Sequence, residues 1–97
     1  MSERDDLLVL LHAALPELRR QWPIRSLAIF GSVVRDEATA DSDLDVLVEF
    51  DRPISLSGFL ALEAELAELA GRHVDLVTLR ALKPFIGQHV LSEAVPV

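Results

Sequence analysis

Two aspartates at the start of an apolar segment are the residues of this chain best suited to chemistry. Asp43 and Asp45 border the apolar run Val46–Val48, and ten residues separate Asp43 from the pair Gly31-Ser32. In an extended strand alternate side chains share a face, so these two carboxylates lie roughly 6.6 Å apart. At an effective dielectric of about 20, two such charges repel by about 2.5 kcal/mol. A strand that keeps this repulsion is typical of a cation site, and oxygen ligands without cysteine favour Mg²⁺ or Mn²⁺ over zinc.

Two further features favour this interpretation over a solvated turn, which is the ordinary reason for an Asp-x-Asp sequence before a strand. Gly31 follows an apolar segment, and a glycine there lets backbone N–H groups approach an anion while the Ser32 hydroxyl adds a donor. Asp75 stands in the apolar segment Val74–Thr78, where an unpaired buried carboxylate is expensive. Three acids on neighbouring strands beside a phosphate-sized turn indicate metal-assisted phosphoryl transfer.

Hydrophobic periodicity predicts the helices that support these residues. Leucine spacing, capping serines and helix-starting prolines predict four helical segments, over residues 4–14, 16–22, 55–70 and 84–93. Pro16 is expected to end or kink the first segment, because an internal proline removes a helical hydrogen bond. Ser55 or Ser57 is expected to cap the third segment, and Gly71 to stop it.

The strands alternate with these helices. Short apolar, β-branched segments predict strands over residues 26–30, 43–50 and 73–78, with a brief helix over residues 33–37 after the Gly31-Ser32 turn. The order predicts a single α/β domain, residues 1–97, with a small mixed β-sheet flanked by helices. His73 shares a strand face with Asp75, so it is a candidate neighbour of the site, although a core or surface histidine is the commoner role.

Composition limits the possible partners. The chain has 97 residues, 51% of them hydrophobic and 26% charged, and it contains no cysteine. Its net charge of −7 disfavours direct binding of nucleic acid, which depends on cationic side chains. No apolar run approaches the length of a membrane span, and the acidic start MSERDD is unlike a signal peptide. A cytoplasmic location without membrane contact is the expectation.

The combined motif resembles that of the minimal nucleotidyltransferases in the DNA-polymerase-β-like superfamily. The resemblance rests on four features in order: Gly31-Ser32, a gap of ten residues, Asp43-x-Asp45, and Asp75 within VDLV. It extends from about Leu27 to Val95, where LKPFIGQHVLSEAV is similar to the closing helix of the family. The resemblance implies a polymerase-β-like nucleotidyltransferase core, and many such proteins are antitoxins paired with an RNase toxin of the HEPN class.

The resemblance also implies a role for each matching residue. Asp43 and Asp45 would hold two Mg²⁺ ions that bridge the phosphates of ATP. Asp75 would complete the second metal position and help to activate the acceptor hydroxyl. Gly31 and Ser32 would cradle the β- and γ-phosphates.

Four residues bear on the surrounding loop. Arg35 matches a basic residue that commonly follows the Gly-Ser pair; it is expected to contact phosphate or to hold the loop by a salt bridge, and the salt bridge is favoured. Ser42 matches a serine before the first acid, as a cap or a supporting donor. Asp36 stands where glycine is frequent in the family and Pro96 where an aromatic is common, which leaves loop shape and partner contact open.

The resemblance predicts a Mg²⁺-dependent nucleotidyltransferase that transfers AMP from ATP to a hydroxyl, a tyrosine, of a partner HEPN toxin. The chain would then be the antitoxin of a type VII toxin–antitoxin pair. One alternative is a binding module that neutralises the toxin by covering it, without catalysis. Another is a polymerase or a small-molecule nucleotidyltransferase, but the additional substrate domains that these enzymes need are absent from these residues.

Overall fold

A mixed four-stranded sheet positions the predicted site. The computed structural model describes residues 2–39 and 41–97. The elements are α1 Glu3–Gln21, β1 Ile24–Phe30, β2 Leu44–Phe50, α2 Leu56–Ala70, β3 Val74–Thr78, a 3₁₀ turn Leu79–Ala81, α3 Pro84–Glu93 and β4 Val95–Pro96. The strand order in the sheet is β3-β2-β1-β4. β2 pairs with β1 antiparallel and with β3 parallel, and β1 also pairs with β4 antiparallel. The predicted α/β class, with a small mixed sheet flanked by helices, is confirmed.

The first helix is continuous through its internal proline. Of the two expectations for Pro16, the end of the helix was wrong, as was a separate piece over residues 16–22, and a kink at Pro16 stays a prediction. The Ser2 side chain caps the helix by accepting the Asp5 N–H at 3.1 Å. An internal proline costs about 3 kcal/mol. Leu15 and Leu18 are buried on either side of Pro16, and burial of such side chains stabilises by about 1.5–3 kcal/mol each. Core packing therefore outweighs the local cost.

The turn after β1 is not the helix that was predicted over residues 33–37. The Arg35 N–H donates to the Gly31 carbonyl at 3.2 Å, as in a helical turn, but the Glu37 N–H donates back to the Ser32 carbonyl at 2.9 Å. This second bond closes a helix end, because Asp36 has a left-handed backbone with φ 57°. Aspartate tolerates that conformation better than most residues, so Asp36 preserves the backbone form that favours glycine.

Strand β2 divides the molecule into a packed face and a face that carries the site. Leu44, Val46 and Val48 are fully buried in the main hydrophobic cluster with residues of α1 and α2. Because side chains alternate along a strand, Asp45 and Leu47 face the other side of the sheet. β1 begins earlier than predicted, β2 and β3 each begin one residue later, and β4 and the 3₁₀ turn were missed. Ser55, rather than Ser57, caps α2.

One edge of the sheet is covered by a side chain. β3 is an outer strand, and the Glu63 carboxylate of α2 accepts the Leu76 N–H at 2.9 Å. The contact satisfies a backbone donor on the outer strand and fixes α2 against β3.

Among the described residues, no helix is both long enough and apolar enough to cross a membrane.

Candidate active site

The sheet brings Asp45 and Asp75 together through strand register. In the parallel β2–β3 pair, Asp45 is directly opposite Asp75, and on the other side Asp45 is opposite Phe30 of β1. Phe30 immediately precedes Gly31, so the same register places the end of β1 beside Asp45. Residues far apart in the sequence, Gly31, Asp45 and Asp75, therefore meet on one face of the sheet.

Asp75 reaches this face without being buried. The flanking Val74 and Leu76 are buried, whereas Asp75 is exposed. The expectation that Asp75 is an expensive buried carboxylate was therefore wrong, because the apolar neighbours point to the opposite face of the strand. An exposed carboxylate at the sheet surface is accessible to a cation or to a substrate hydroxyl.

Asp43 lies at the entrance of β2, next to a histidine. His73 Nδ1 is 3.2 Å from Asp43 Oδ1, and about half of the Asp43 side chain is exposed. The position of His73 beside the acids is confirmed. In the preceding loop, the Ser42 hydroxyl accepts the Thr39 N–H at 2.9 Å, which is a hydrogen bond within the loop and not a helix cap. The expected role of Ser42 as a supporting donor stays a prediction.

The pKa of Asp45 reflects its partial burial and the two neighbouring carboxylates. Partial burial raises the pKa of Asp45 above its ordinary value, and the negative charges of Asp75 and Asp43 raise it further. The positive charge of Arg35 offsets part of this effect. The site therefore holds more negative charge than its surroundings neutralise.

The turn residue Gly31 gives Asp45 the space that it occupies. Gly31 has φ +82°, and a Cβ atom built on it would lie 2.1 Å from Asp45 Oδ2 and 3.0 Å from Asp45 Cγ. Both the left-handed backbone and the close approach require glycine. The Asp45 carboxylate consequently lies close to the backbone of the Gly31-Ser32 turn, which is predicted to bind phosphate.

We expect Gly31→Ala to destabilise the fold by at least about 2 kcal/mol, because the added methyl group is strained at this φ and overlaps Asp45. The matched control is Gly71→Ala, where φ is +68° but no atom lies within 4 Å of the added Cβ. That change should cost only about 1 kcal/mol. Urea unfolding of both variants measures the difference, and equal losses would show that contact with Asp45 is unimportant.

Arg35 is held between two glutamates. Its Nη1 lies 3.0 and 3.1 Å from the two carboxylate oxygens of Glu93, and its Nε lies 3.1 Å from Glu37. Hydrogen bonds to Glu37 and Glu93 raise the pKa of Arg35. The salt bridge that was favoured for Arg35 is present, and its contact with phosphate stays a prediction.

Glu93 also accepts the Gly31 N–H at 2.7 Å and was missed by the sequence analysis. One signal pointed to it: Glu93 is the last residue of α3, where the helix dipole disfavours negative charge. A carboxylate at that position needs a donor or a cation from elsewhere in the fold.

The three aspartates fit a hard cation by their chemistry. Among residues 2–39 and 41–97, no three His, Asp or Glu side chains are close enough as they stand to enclose an ion. Their oxygen donors nevertheless suit Mg²⁺, and their mutual repulsion, which raises the pKa of Asp45, is the kind that a cation relieves. A cavity of about 750 Å³ lies at the far ends of β2 and β3 beside Arg52 and Arg80, away from these acids.

Comparison with known proteins gives matches over nearly the whole chain. A profile of the family described as "Nucleotidyltransferase domain" matches residues 11–97. The protein adenylyltransferase MntA of Thermococcus cleftensis is 43% identical over 95 residues, which cover 98% of this chain and 96% of that protein. A solved structure provisionally described as a minimal nucleotidyltransferase has a TM-score of 0.82 and 37% identity, covering 100% of this chain and 97% of the other.

A more distant structural match comes from a toxin–antitoxin complex. It is a chain of the Shewanella oneidensis complex between a tri-AMPylated HEPN toxin and an MNT antitoxin. The TM-score is 0.60 at 21% identity, over 97% of this chain and 67% of that one. At this identity the likeness shows a shared fold.

Proposed function

The chain belongs to the nucleotidyltransferase domain family, and from this premise we propose that it transfers AMP from ATP to a tyrosine hydroxyl of a partner protein with Mg²⁺. The predicted relationship to the minimal nucleotidyltransferases, and the prediction of a nucleotidyltransferase enzyme, are confirmed. The acceptor, the metal and the roles of individual residues are parts of the proposal.

The observation that carries the proposal is the position of Asp45. Its carboxylate lies against Gly31, and its strand partner is Asp75. A nucleotide whose β- and γ-phosphates rest on the Gly31-Ser32 turn therefore has its α-phosphate close to the acids. Among the described residues, the backbone hydrogen bonds at Ser32 involve its carbonyl, which accepts the Glu37 N–H, and none uses its N–H, so we assign the Ser32 N–H and hydroxyl to the phosphates.

The chemistry is an in-line displacement at phosphorus. Asp43, Asp45 and Asp75 would hold Mg²⁺, which would neutralise the phosphate charge. Asp75 accepts the proton of the acceptor hydroxyl while the hydroxyl oxygen forms a bond to the α-phosphorus. The bond from the α-phosphorus to the oxygen bridging the β-phosphate breaks, and pyrophosphate leaves. The Gly31-Ser32 turn holds the leaving group, so the residues of the chain mainly orient and neutralise.

A protein acceptor agrees with the surface of the chain. The net charge of −7 opposes binding of RNA or DNA. Helix α3 exposes three large apolar side chains, and Phe85, the most exposed, is 83% accessible; the others are Ile86 and Leu91. Exposed apolar side chains of this size support a protein partner for this helix. We assign the partner to the HEPN class, in the cytoplasm, and the chain to the antitoxin role, in keeping with the Shewanella complex.

The test uses ATP labelled on the α-phosphate, Mg²⁺ and lysate of the source cell. Label on one protein band, absent when the γ-phosphate carries the label, identifies adenylyl transfer and distinguishes it from phosphorylation. Chelation of Mg²⁺ should reduce transfer to background. Label on nucleic acid or on a small molecule would contradict the acceptor. A partner that co-purifies without any label would instead support the non-catalytic binding module.

A further inference from the structure

The carboxylate of Glu93 joins the end of α3 to the turn after β1. It accepts the Gly31 N–H at 2.7 Å across 62 residues of sequence, and its side chain is only 16% exposed. A short hydrogen bond to an ionised acceptor is stronger than one between neutral groups. The contact therefore restrains the backbone of Gly31 from outside its own turn.

Arg35 keeps this carboxylate charged. Burial alone would raise the pKa of Glu93, but the hydrogen bond from Gly31 and the ion pair with Arg35 outweigh burial and lower it. Both Glu93 oxygens lie within 3.1 Å of Arg35 Nη1. Because an unpaired anion here would repel a triphosphate, the Arg35 charge also makes the position of Glu93 compatible with a bound nucleotide.

The restrained residue contacts the proposed site on both sides. A side chain at Gly31 would overlap the Asp45 carboxylate, and Gly31 is covalently bonded to Ser32, whose N–H and hydroxyl are the donors proposed for phosphate. Since Glu93 already uses the Gly31 N–H, the donors of the Gly-Ser pair that are left for phosphate belong to Ser32. A change in the Gly31 backbone would move Ser32 and Asp45 relative to each other.

We propose that Glu93, held by Arg35, is a positioning residue for nucleotide binding: it fixes the Gly31 backbone so that the Ser32 donors and the Asp45 carboxylate face the same triphosphate. This role deepens the proposed function and rests on it. Glu93 itself does not touch the nucleotide. Its removal therefore weakens binding through the geometry of the turn.

Two substitutions and one matched control test the role. Glu93→Gln and Arg35→Gln should each weaken binding of a non-hydrolysable ATP analogue with Mg²⁺ by about tenfold or more, the size common for supporting contacts. Both remove the Glu93–Arg35 ion pair, and Glu93→Gln also turns the charge-assisted hydrogen bond from Gly31 into a weaker, neutral one. The double variant should bind the analogue little more weakly than either single variant, because each substitution alone already removes the same Glu93–Arg35 ion pair. Glu37→Gln is the control, since Glu37 also pairs with Arg35 but does not contact Gly31; it should change affinity by less than about twofold. Titration calorimetry gives the dissociation constants.

The Gly31 amide gives a readout that needs no nucleotide. Hydrogen exchange of this amide should accelerate in Glu93→Gln and stay at the wild-type rate in Glu37→Gln. Unchanged or tighter nucleotide binding by both Glu93→Gln and Arg35→Gln would overturn the positioning role while leaving the proposed function intact. A wild-type chain that protects the Gly31 amide yet binds no nucleotide would overturn the proposed function, and the contact would then be structural only. If Glu93→Gln does not fold, Arg35→Gln decides between these outcomes.

Discussion

Replacement of Asp43 and Asp45 together by asparagine is expected to lower adenylyl transfer by on the order of 10³-fold or more. The protein then lacks the carboxylates that would hold Mg²⁺ against the phosphates. Asparagine keeps the size of each side chain, so the turn and the strand stay in place. The rate of label transfer from ATP to the partner measures the loss. Retention of more than about a tenth of the wild-type rate would contradict the metal-binding role.

Two controls separate chemistry from folding. Asp41→Asn changes an exposed acid of the same loop and should leave transfer unchanged. The Asp43/Asp45 variant without metal should unfold at the same temperature as the wild type or higher, because the charges of Asp43 and Asp75 raise the pKa of Asp45 and their repulsion is then relieved. A loss of activity together with a large loss of stability would point to misfolding.

Leu62→Ala should lower the free energy of unfolding by about 3 kcal/mol, the second large effect that we expect. Leu62 is fully buried in α2, and its truncation removes apolar contacts and leaves a cavity. For a domain of this size, whose total stability is typically about 5–15 kcal/mol, such a loss is severe. Urea unfolding with an unchanged slope measures it.

Leu60 provides the matched control in the same helix. It is 52% exposed, so Leu60→Ala removes the same atoms with the same helix propensity but with little core contact. We expect a cost of about 0.5 kcal/mol or less. Similar losses for Leu60 and Leu62 would contradict the placement of α2 against the sheet.

The acids and the turn were predictable because their signals are local. An apolar strand, a glycine and an Asp-x-Asp pair are all read within short stretches, and strand alternation then predicts which side chains share a face. For Asp75 the apolar neighbours suggested burial, although Val74 and Leu76 only mark the opposite face of the strand. The shared face of Asp45 and Asp75 follows from their register, which is a tertiary property.

Other features depend on contacts that local patterns do not contain. Pro16 lies inside α1 because leucines on both sides are buried against the rest of the fold. The Gly31–Glu93 hydrogen bond spans 62 residues, and nothing near Gly31 predicts its partner. The prediction of a helix over residues 33–37 was wrong for a local reason. Asp36 has a left-handed backbone that ends the helical turn, and an aspartate in the sequence is only a weak predictor of that conformation.

The hydrogen bond from the Leu76 N–H of β3 to Glu63 bears on whether copies of this chain aggregate at high concentration. Open strand edges are templates for sheet-to-sheet aggregation, and proteins protect them with charges or with very short strands. Here Glu63 occupies a donor on one outer strand, and the opposite outer strand, β4, has only two residues. Among the described residues, neither outer strand therefore offers a long, free ladder to another copy, which disfavours edge-to-edge aggregation of a chain with 51% hydrophobic residues.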